Sequence, residues 1–316
     1  MDRHNEVAGL IGERSDRVWV ELPAGRGGVP VLAVRAENLA EAWELSLLAL
    51  YGYGTEVRTE YDQRDKAGAY LDPPSLDASM RIVVADPLAE PMIHRSFPGG
   101  LDALEEYRQE VLDGIKDHWC RDQSDPDDQR WEYTYHERIT CYRVPGLAGS
   151  IDQLESVVAG LARSPHSRRQ QAVVWKVWED NNIPDPACMQ SLWFRVLEDE
   201  EGVWRLNLNV RFRSRDAYDA AFMNCFALAH LMADVARRLS ERAGREVKLG
   251  RYVDESDSYH IYGHRLADFR ARFLKQVANR SFADRTWDLA FAEPMFAEAR
   301  PRIAAKIKAY DEERRK

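Results

Sequence analysis

"QSLWFRVLEDEEGVWRLNLNVRF", residues 190–212, holds two β-rich runs on either side of an acidic turn. In the second run Trp204, Leu206, Leu208, Val210 and Phe212 alternate with polar residues, the period-two pattern of a half-buried strand. "EDEEG" between the runs suits a hairpin turn. Three more β-rich stretches lie outward from this pair: "MRIVVADPL" (80–88), "QAVVWKVW" (171–178) and "SYHIYGHR" (258–265). Helical spacing appears before and after them. It runs through "NLAEAWELSLLALY" (38–51) behind a possible Asn38 cap, and through "GLDALEEYRQEVLDG" (100–114) with Gly114 at its end. "SIDQLESVVAGLARSP" (150–165) reads as a helix capped by Ser150, and a long helix spans about Ala220 to Arg242, with Gly244 just beyond. Residues 56–80, rich in Gly, Pro and Asp, read as loop. Strands gathered mid-chain with helices on either side predict an α+β fold around one sheet.

The 316 residues carry a net charge of −9, with 45% hydrophobic and 10% aromatic residues. That composition supports a sizeable core. We read the chain as a single catalytic domain over 1–316, with an N-terminal extension to about residue 30 and a helical C-terminal part from about 265. No apolar run is long enough for a membrane span, and the charged N-terminus does not look like a secretory signal. The four cysteines, Cys120, Cys141, Cys188 and Cys225, are widely spaced without a CxxC, which predicts a reducing cytoplasm and no structural metal. The acidic balance argues against a nucleic-acid polymer as partner, but not against a small anion held by local arginines.

Four stretches carry chemistry. In "PDPACMQSLWF" (184–194), Cys188 stands at the entry to a strand. Taken alone it reads as a small core residue; as a nucleophile it needs a neighbour that lowers its pKa or takes its proton, and Arg168, Arg169, Arg213 and Arg215 could each supply positive field. "RFRSRDAYDAAFMN" (211–224) sets Arg213, Ser214, Asp216 and Asn224 before and within an apolar helix. A guanidinium fork plus a hydroxyl suits phosphate, and a helix cap with a solvated arginine face is the equally simple structural alternative. "SPHSRRQQ" (164–171) holds Arg168 and Arg169, which alone are ordinary surface. In "SDSYHIYG" (256–263), His260 and Tyr262 share one strand face and could both donate to one sugar hydroxyl, or simply pack across a sheet.

The series "LEEYRQEVLDG", "YTYHER", "IDQL", "SRR", "PAC", "RSRDAYDAAFMN", "HIY" occurs in that order from residue 104 to 262. It resembles the folate-dependent thymidylate synthase superfamily, in its archaeal and phage-type branch. The resemblance implies a homodimer formed through a sheet face, and transfer of a one-carbon unit from 5,10-methylenetetrahydrofolate to C5 of a pyrimidine nucleoside monophosphate. It makes Cys188 the nucleophile toward C6. Arg213 and Ser214 then bind phosphate, joined by Arg168 and Arg169 from the partner subunit. Asn224 reads O4 and N3 of the base, His260 and Tyr262 hold the sugar, Tyr135 is the active-site tyrosine, Asp216 orients folate and Trp119 lies beside its ring. Glu106 is preferred as the catalytic glutamate, with Glu110, one turn on, as the alternate.

Departures from the family pattern set a second expectation. Met189 replaces a histidine after the cysteine, "DAAFMN" replaces "LGxPFN", and Lys116 stands where a tryptophan is usual. A lysine there brings water nearer, and water capture in place of hydride transfer gives hydroxymethyl rather than methyl product. The charged "AKIKAYDEERRK" (305–316) does not resemble the short apolar tail of the common enzymes. dUMP to dTMP is the first expectation, a dUMP, dCMP or CMP hydroxymethylase the second, and a non-catalytic nucleotide-binding homologue the third.

Overall fold

A computed structural model describes residues 3–24, 27–121, 128 and 130–314. In chain order the helices are α1 (Arg3–Ile11), α2 (Leu39–Tyr53), α3 (Leu101–Asp113), α4 (Tyr135–Thr140), α5 (Gln153–Arg163), α6 (Val177–Asp180), α7 (Ala221–Ala243), α8 (Leu266–Phe269), α9 (Lys275–Asn279) and α10 (Leu289–Arg314). The strands are β1 (Val18–Glu21), β2 (Val31–Ala36), β3 (Thr55–Val57), β4 (Ser75–Val84), β5 (Ile93–His94), β6 (Gln171–Val173), β7 (Met189–Glu198), β8 (Trp204–Phe212), β9 (Arg215–Asp216), β10 (Val247–Ile261) and β11 (Thr286–Trp287). The protein is mixed α and β, with a mixed sheet flanked by helices. Two compact units divide it: residues 1–98, 212–222 and 253–289 form the first, and 99–211, 223–252 and 290–316 the second.

In the first unit the strand order is β1-β2-β4 and then the C-terminal half of β10, with β3 beside β4 and β9 beside β10. β2 and β4 run parallel, as do β9 and β10, while β1–β2 and β3–β4 are antiparallel. Helix α2 is buried along almost its whole surface, the pattern of a helix enclosed by its neighbours. Asn38 caps it by accepting from the Glu41 amide at 2.9 Å. Leu45, Leu47 and Leu48 on it are fully buried, and truncating one to Ala should cost about 2–5 kcal/mol.

In the second unit the order is β6-β7-β8 and then the N-terminal half of β10. The 190–212 stretch forms the expected hairpin: Asp199 donates its amide to Val203, and Gly202 takes a positive φ of 77° in the turn. Leu206, Leu208, Val210 and Phe212 are buried on one face of β8.

Four local expectations change. Residues 56–80 are not all loop, because β3 begins at Thr55 and β4 at Ser75. The cap of α5 is Asp152, whose carboxylate accepts from the Glu155 amide at 2.8 Å, not Ser150. "QAVVWKVW" stays extended only to Val173 and then turns into α6, where buried Asp180 accepts from the Lys176 amide and holds the turn closed. "SYHIYGHR" stays in β10 only through Ile261 and then bends into a short 3-10 turn at Gly263–Arg265. Among the described residues no helix is long and apolar enough to cross a membrane.

Candidate active site

Helix α3 carries three glutamates in three settings. Glu105 is fully buried and bound by Arg108, Gln109 and Arg300. Glu106 is paired with Lys116 at 2.8 Å and with Lys306 of α10 at 2.8 Å. Burial alone would push the Glu106 carboxyl up, but hydrogen bonds from these two lysines outweigh it and hold it below the ordinary range. Among the described residues Glu110 has one cation, Lys116, at 2.8 Å. Its burial outweighs that single lysine, and its carboxyl is pushed up.

Gly114 makes this arrangement possible. It ends α3 in the left-handed region at φ 63°, and a Cβ there would collide with His136 and Asp117. The turn then delivers Lys116, which is itself largely buried, to both glutamates. Its ammonium lies 5.8 Å from the Trp119 ring centroid and 5.5 Å from that of Trp131.

Glu110 faces a cavity of about 360 Å³ whose walls include Tyr107, Trp131, Tyr133, Tyr135 and Asp185. Tyr133 and Tyr135 enter from the start of α4, which Arg138 anchors by hydrogen bonds to Asp180 at 3.1 and 3.2 Å and to the Val174 carbonyl. Both tyrosine hydroxyls meet consecutive amides at the start of β7: Met189 donates to Tyr135 at 3.3 Å, and the Cys188 amide donates to Tyr133. Burial pushes both tyrosines up, so both hydroxyls keep their protons at neutral pH. Cys188 is half-buried, one residue before β7. Asn224, in the first turns of α7, donates from Nδ2 to the Tyr107 hydroxyl at 2.6 Å. One unit therefore brings together Cys188, Tyr135, Glu110 and Asn224 among the residues expected from sequence. Tyr107 and Tyr133 were not expected. Each stands within two residues of an expected residue, and that adjacency was the signal available.

Trp119 is buried, but its ring already has partners. Tyr310 lies against it at a centroid distance of 4.2 Å, and Asp311 accepts from its Nε1 at 2.7 Å. The charged C-terminal segment is thus the end of α10, with Tyr310 and Asp311 against Trp119; its last two residues lie outside the described residues. Arg168 and Arg169 are exposed after α5, in a basic depression of about 620 Å³ shared with Arg163 and His166.

The first unit holds the other expected group. β9 pairs with β10 so that Asp216 is level with His260, and Ser258 donates its amide to the Arg213 carbonyl. Arg213, Ser214 and Asp216 are thereby set beside His260 and Tyr262. Asp216 accepts from the amides of Tyr218 and Asp219 at 2.9 and 2.8 Å, and burial still pushes its carboxyl up to about 6. Arg215 has its own local counter-charge. It is buried, and its guanidinium is committed to Asp254 and the Ala221 carbonyl.

A cysteine at a strand entry, a carboxylate facing an aromatic-walled cavity and a helix-borne amide thus lie in one unit. The thymidylate synthase family profile matches residues 103–290, well over half of the chain. A protein of Methanosarcina mazei named "Putative thymidylate synthase" is 26% identical over 231 residues, covering 73% of this chain and 89% of its own. Its namesake from Methanosarcina barkeri is 25% identical over the same shares, and one from Methanothermobacter thermautotrophicus is 28% identical over 51% of this chain and 60% of its own. The chain belongs to the thymidylate synthase family. It is a transferase of that type, a family that methylates or hydroxymethylates pyrimidines with a folate one-carbon donor.

Proposed function

We propose that this enzyme transfers a one-carbon unit from 5,10-methylenetetrahydrofolate to C5 of a pyrimidine nucleoside monophosphate, with dUMP to dTMP as the primary reaction. The observation that carries the reading is the convergence, in one unit, of Cys188, the Tyr133–Tyr135 pair, Glu110 and the Tyr107–Asn224 pair. Cys188 adds to C6 as thiolate, which makes C5 nucleophilic. Asn224 offers the donor and acceptor that O4 and N3–H of uracil require, and its Nδ2 also donates to the Tyr107 hydroxyl. We assign the proton-transfer role to Glu110 rather than Glu106. A carboxyl pushed up by desolvation keeps its proton to higher pH than an ordinary one and can exchange it, whereas Glu106 is held below the ordinary range by two lysines.

The aromatic walls around Glu110 fit a flat heterocycle, so the residues suit a folate ring or a base there; folate, when bound, supplies the one-carbon unit. At Trp119 the same role requires Tyr310 to move, since that ring already occupies the position. Arg213, Ser214, His260 and Tyr262 are assigned to phosphate and sugar, and Asp216 to folate. Arg168 and Arg169, exposed in their basic depression, are assigned to the partner's site in a homodimer.

Lys116 favours a second reading. Its charge sits beside Glu110 and near two tryptophan rings, and a buried ammonium draws water into a site where hydride transfer needs its exclusion. That reading is a hydroxymethylase on dUMP, dCMP or CMP. To test both, each nucleotide is offered with methylenetetrahydrofolate and the product is identified by mass. Methyl product with dihydrofolate supports the synthase, and hydroxymethyl product with tetrahydrofolate the hydroxymethylase. Absence of both products and of C5 hydrogen exchange defeats the two together and leaves a nucleotide-binding homologue.

A further inference from the structure

His260 and Tyr262 were expected to donate together to one hydroxyl. The surroundings of His260 give it the opposite sense. Ser258 Oγ lies 3.0 Å from both carboxylate oxygens of Asp77 on β4 and 3.3 Å from Nδ1 of His260. A serine hydroxyl has one proton, and a carboxylate can only accept. Burial lifts the Asp77 carboxyl to about 6, so above that pH it is the ionised acceptor and takes the Ser258 proton. The serine oxygen then accepts from His260, and the ring proton resides on Nδ1. The Ser258 carbonyl, another pure acceptor, also interacts with this ring. Burial holds His260 neutral, with its pKa lowered to about 4, so the ring has a single proton and Nε2 is a bare lone pair. Nε2 is buried and has no hydrogen-bond partner among the described residues. The Tyr262 ring stands edge-on at a centroid distance of 4.6 Å.

We propose that Asp77 is a positioning residue which, through Ser258, holds His260 in the Nδ1–H form, so that the site selects a ligand hydroxyl able to donate to Nε2. The ligand part rests on the reading of residues 258–262 as a nucleotide sugar site; the tautomer part does not. A free sugar hydroxyl satisfies both residues, donating to His260 and accepting from Tyr262. A phosphate ester or a keto oxygen at the same place has no proton to give and would set two acceptors face to face, leaving a buried polar group unmatched.

The test uses the full-length enzyme with ¹⁵N-labelled histidine. Imidazole ¹⁵N shifts of the ligand-free protein at pH 7.5 are expected to report Nδ1 protonated and Nε2 bare for His260; an Nε2–H ring overturns the proposal. In Asp77→Asn the new amide can donate to Ser258, whose own proton then turns to Nδ1 and drives the ring proton to Nε2. That variant should bind dUMP at least tenfold more weakly while keeping its affinity for 2′,3′-dideoxyuridine 5′-monophosphate. An unchanged tautomer with unchanged dUMP affinity overturns the proposal. Ser258→Ala cuts the link, and in the double variant the Asp77 effect should vanish; full additivity overturns the coupling through Ser258. If the wild-type spectrum shows Nδ1–H but dUMP does not bind, the nucleotide reading fails and the tautomer assignment stands.

Discussion

Glu44 in the first unit is a fully buried carboxylate and Glu110 in the second a partly buried one, and they differ in how many fixed donors surround them. Glu44 is fully buried and receives Arg14 at 2.8 Å, Arg285 at 2.7 Å and His94 at 3.0 Å. His94 sits at ion-pair distance from Glu44, yet burial lowers its pKa. Geometry settles its state: Nδ1 accepts from the Ser96 amide at 3.1 Å, so the neutral ring carries its proton on Nε2 and donates it to Glu44. Burial would raise Glu44, but hydrogen bonds from Arg285 and His94 hold it well below the usual carboxylate range. Among the described residues Glu110 has only Lys116, and it is pushed up. A carboxylate saturated by fixed donors stays ionised and ties α2 to Arg14, to β5 and to the residue before β11. A carboxylate left short of donors can exchange a proton. The first arrangement is structural and the second is suited to catalysis.

The largest expected effect tests whether the undersupplied group serves chemistry at all. Cys188→Ser should lower turnover by at least about 10³-fold and abolish C5 hydrogen exchange. Retained exchange would remove the nucleophile, and with it the reason for a proton-transfer group nearby. Next, Glu110→Gln should cost about 10²–10⁴-fold in kcat with the fold intact, while Glu106→Gln should cost less than tenfold. The reverse ranking would return the role to Glu106. On the structural side, Glu44→Gln leaves Arg14 and Arg285 without their counter-charge, and a loss of about 3–5 kcal/mol in denaturant-derived stability is expected. A loss below about 1 kcal/mol would show that the saturated cluster contributes little.

The pH dependence of stability separates the two carboxylates by sign. Glu44 has a lowered folded pKa, so its contribution is present above the ordinary value of 4.5 and is lost as pH falls below it. Glu110 has a raised folded pKa, so its favourable balance is present below 4.5 and is lost as pH rises through the folded value. The stability gap between wild type and Glu44→Gln should therefore narrow on acidification. Glu110→Gln should gain on wild type as pH rises above 4.5. Parallel curves for the two variants would mean that the difference in donor number has no energetic consequence.

Much of this contrast could not be read from the sequence. The hairpin at 190–212 and helices α2, α3 and α7 were legible because their periodicities are local. The order of the motifs pointed to Cys188, Tyr135, Asn224 and the His260–Tyr262 pair. The choice between Glu106 and Glu110 was not legible, because it depends on Lys306, two hundred residues away along the chain and brought to Glu106 by α10. The same holds for Asp77, which lies in a stretch read as loop and becomes informative only when β4 sets it against Ser258. Ser150 was expected as a cap, but Asp152 suits the position equally well by residue type, and only the backbone path decides between them. Side-chain roles fixed by distant partners are invisible to pattern.

The smallest expected effect sharpens the comparison most. Lys306 is well exposed, and an exposed ion pair contributes about 0–1 kcal/mol, so Lys306→Ala should leave stability within that margin. It would nevertheless reduce the cations on Glu106 from two to one, giving it the same number as Glu110. If donor number alone separates the two glutamates, Lys306→Ala should raise the Glu106 pKa, visible by carboxyl ¹³C NMR titration, and should partly restore turnover to Glu110→Gln. If instead the variant moves the Glu106 pKa without restoring turnover, position matters as well as charge. In that case Glu110 holds its role because it faces the tyrosine-walled cavity, and the lysines on Glu106 serve mainly to dock α10 on α3.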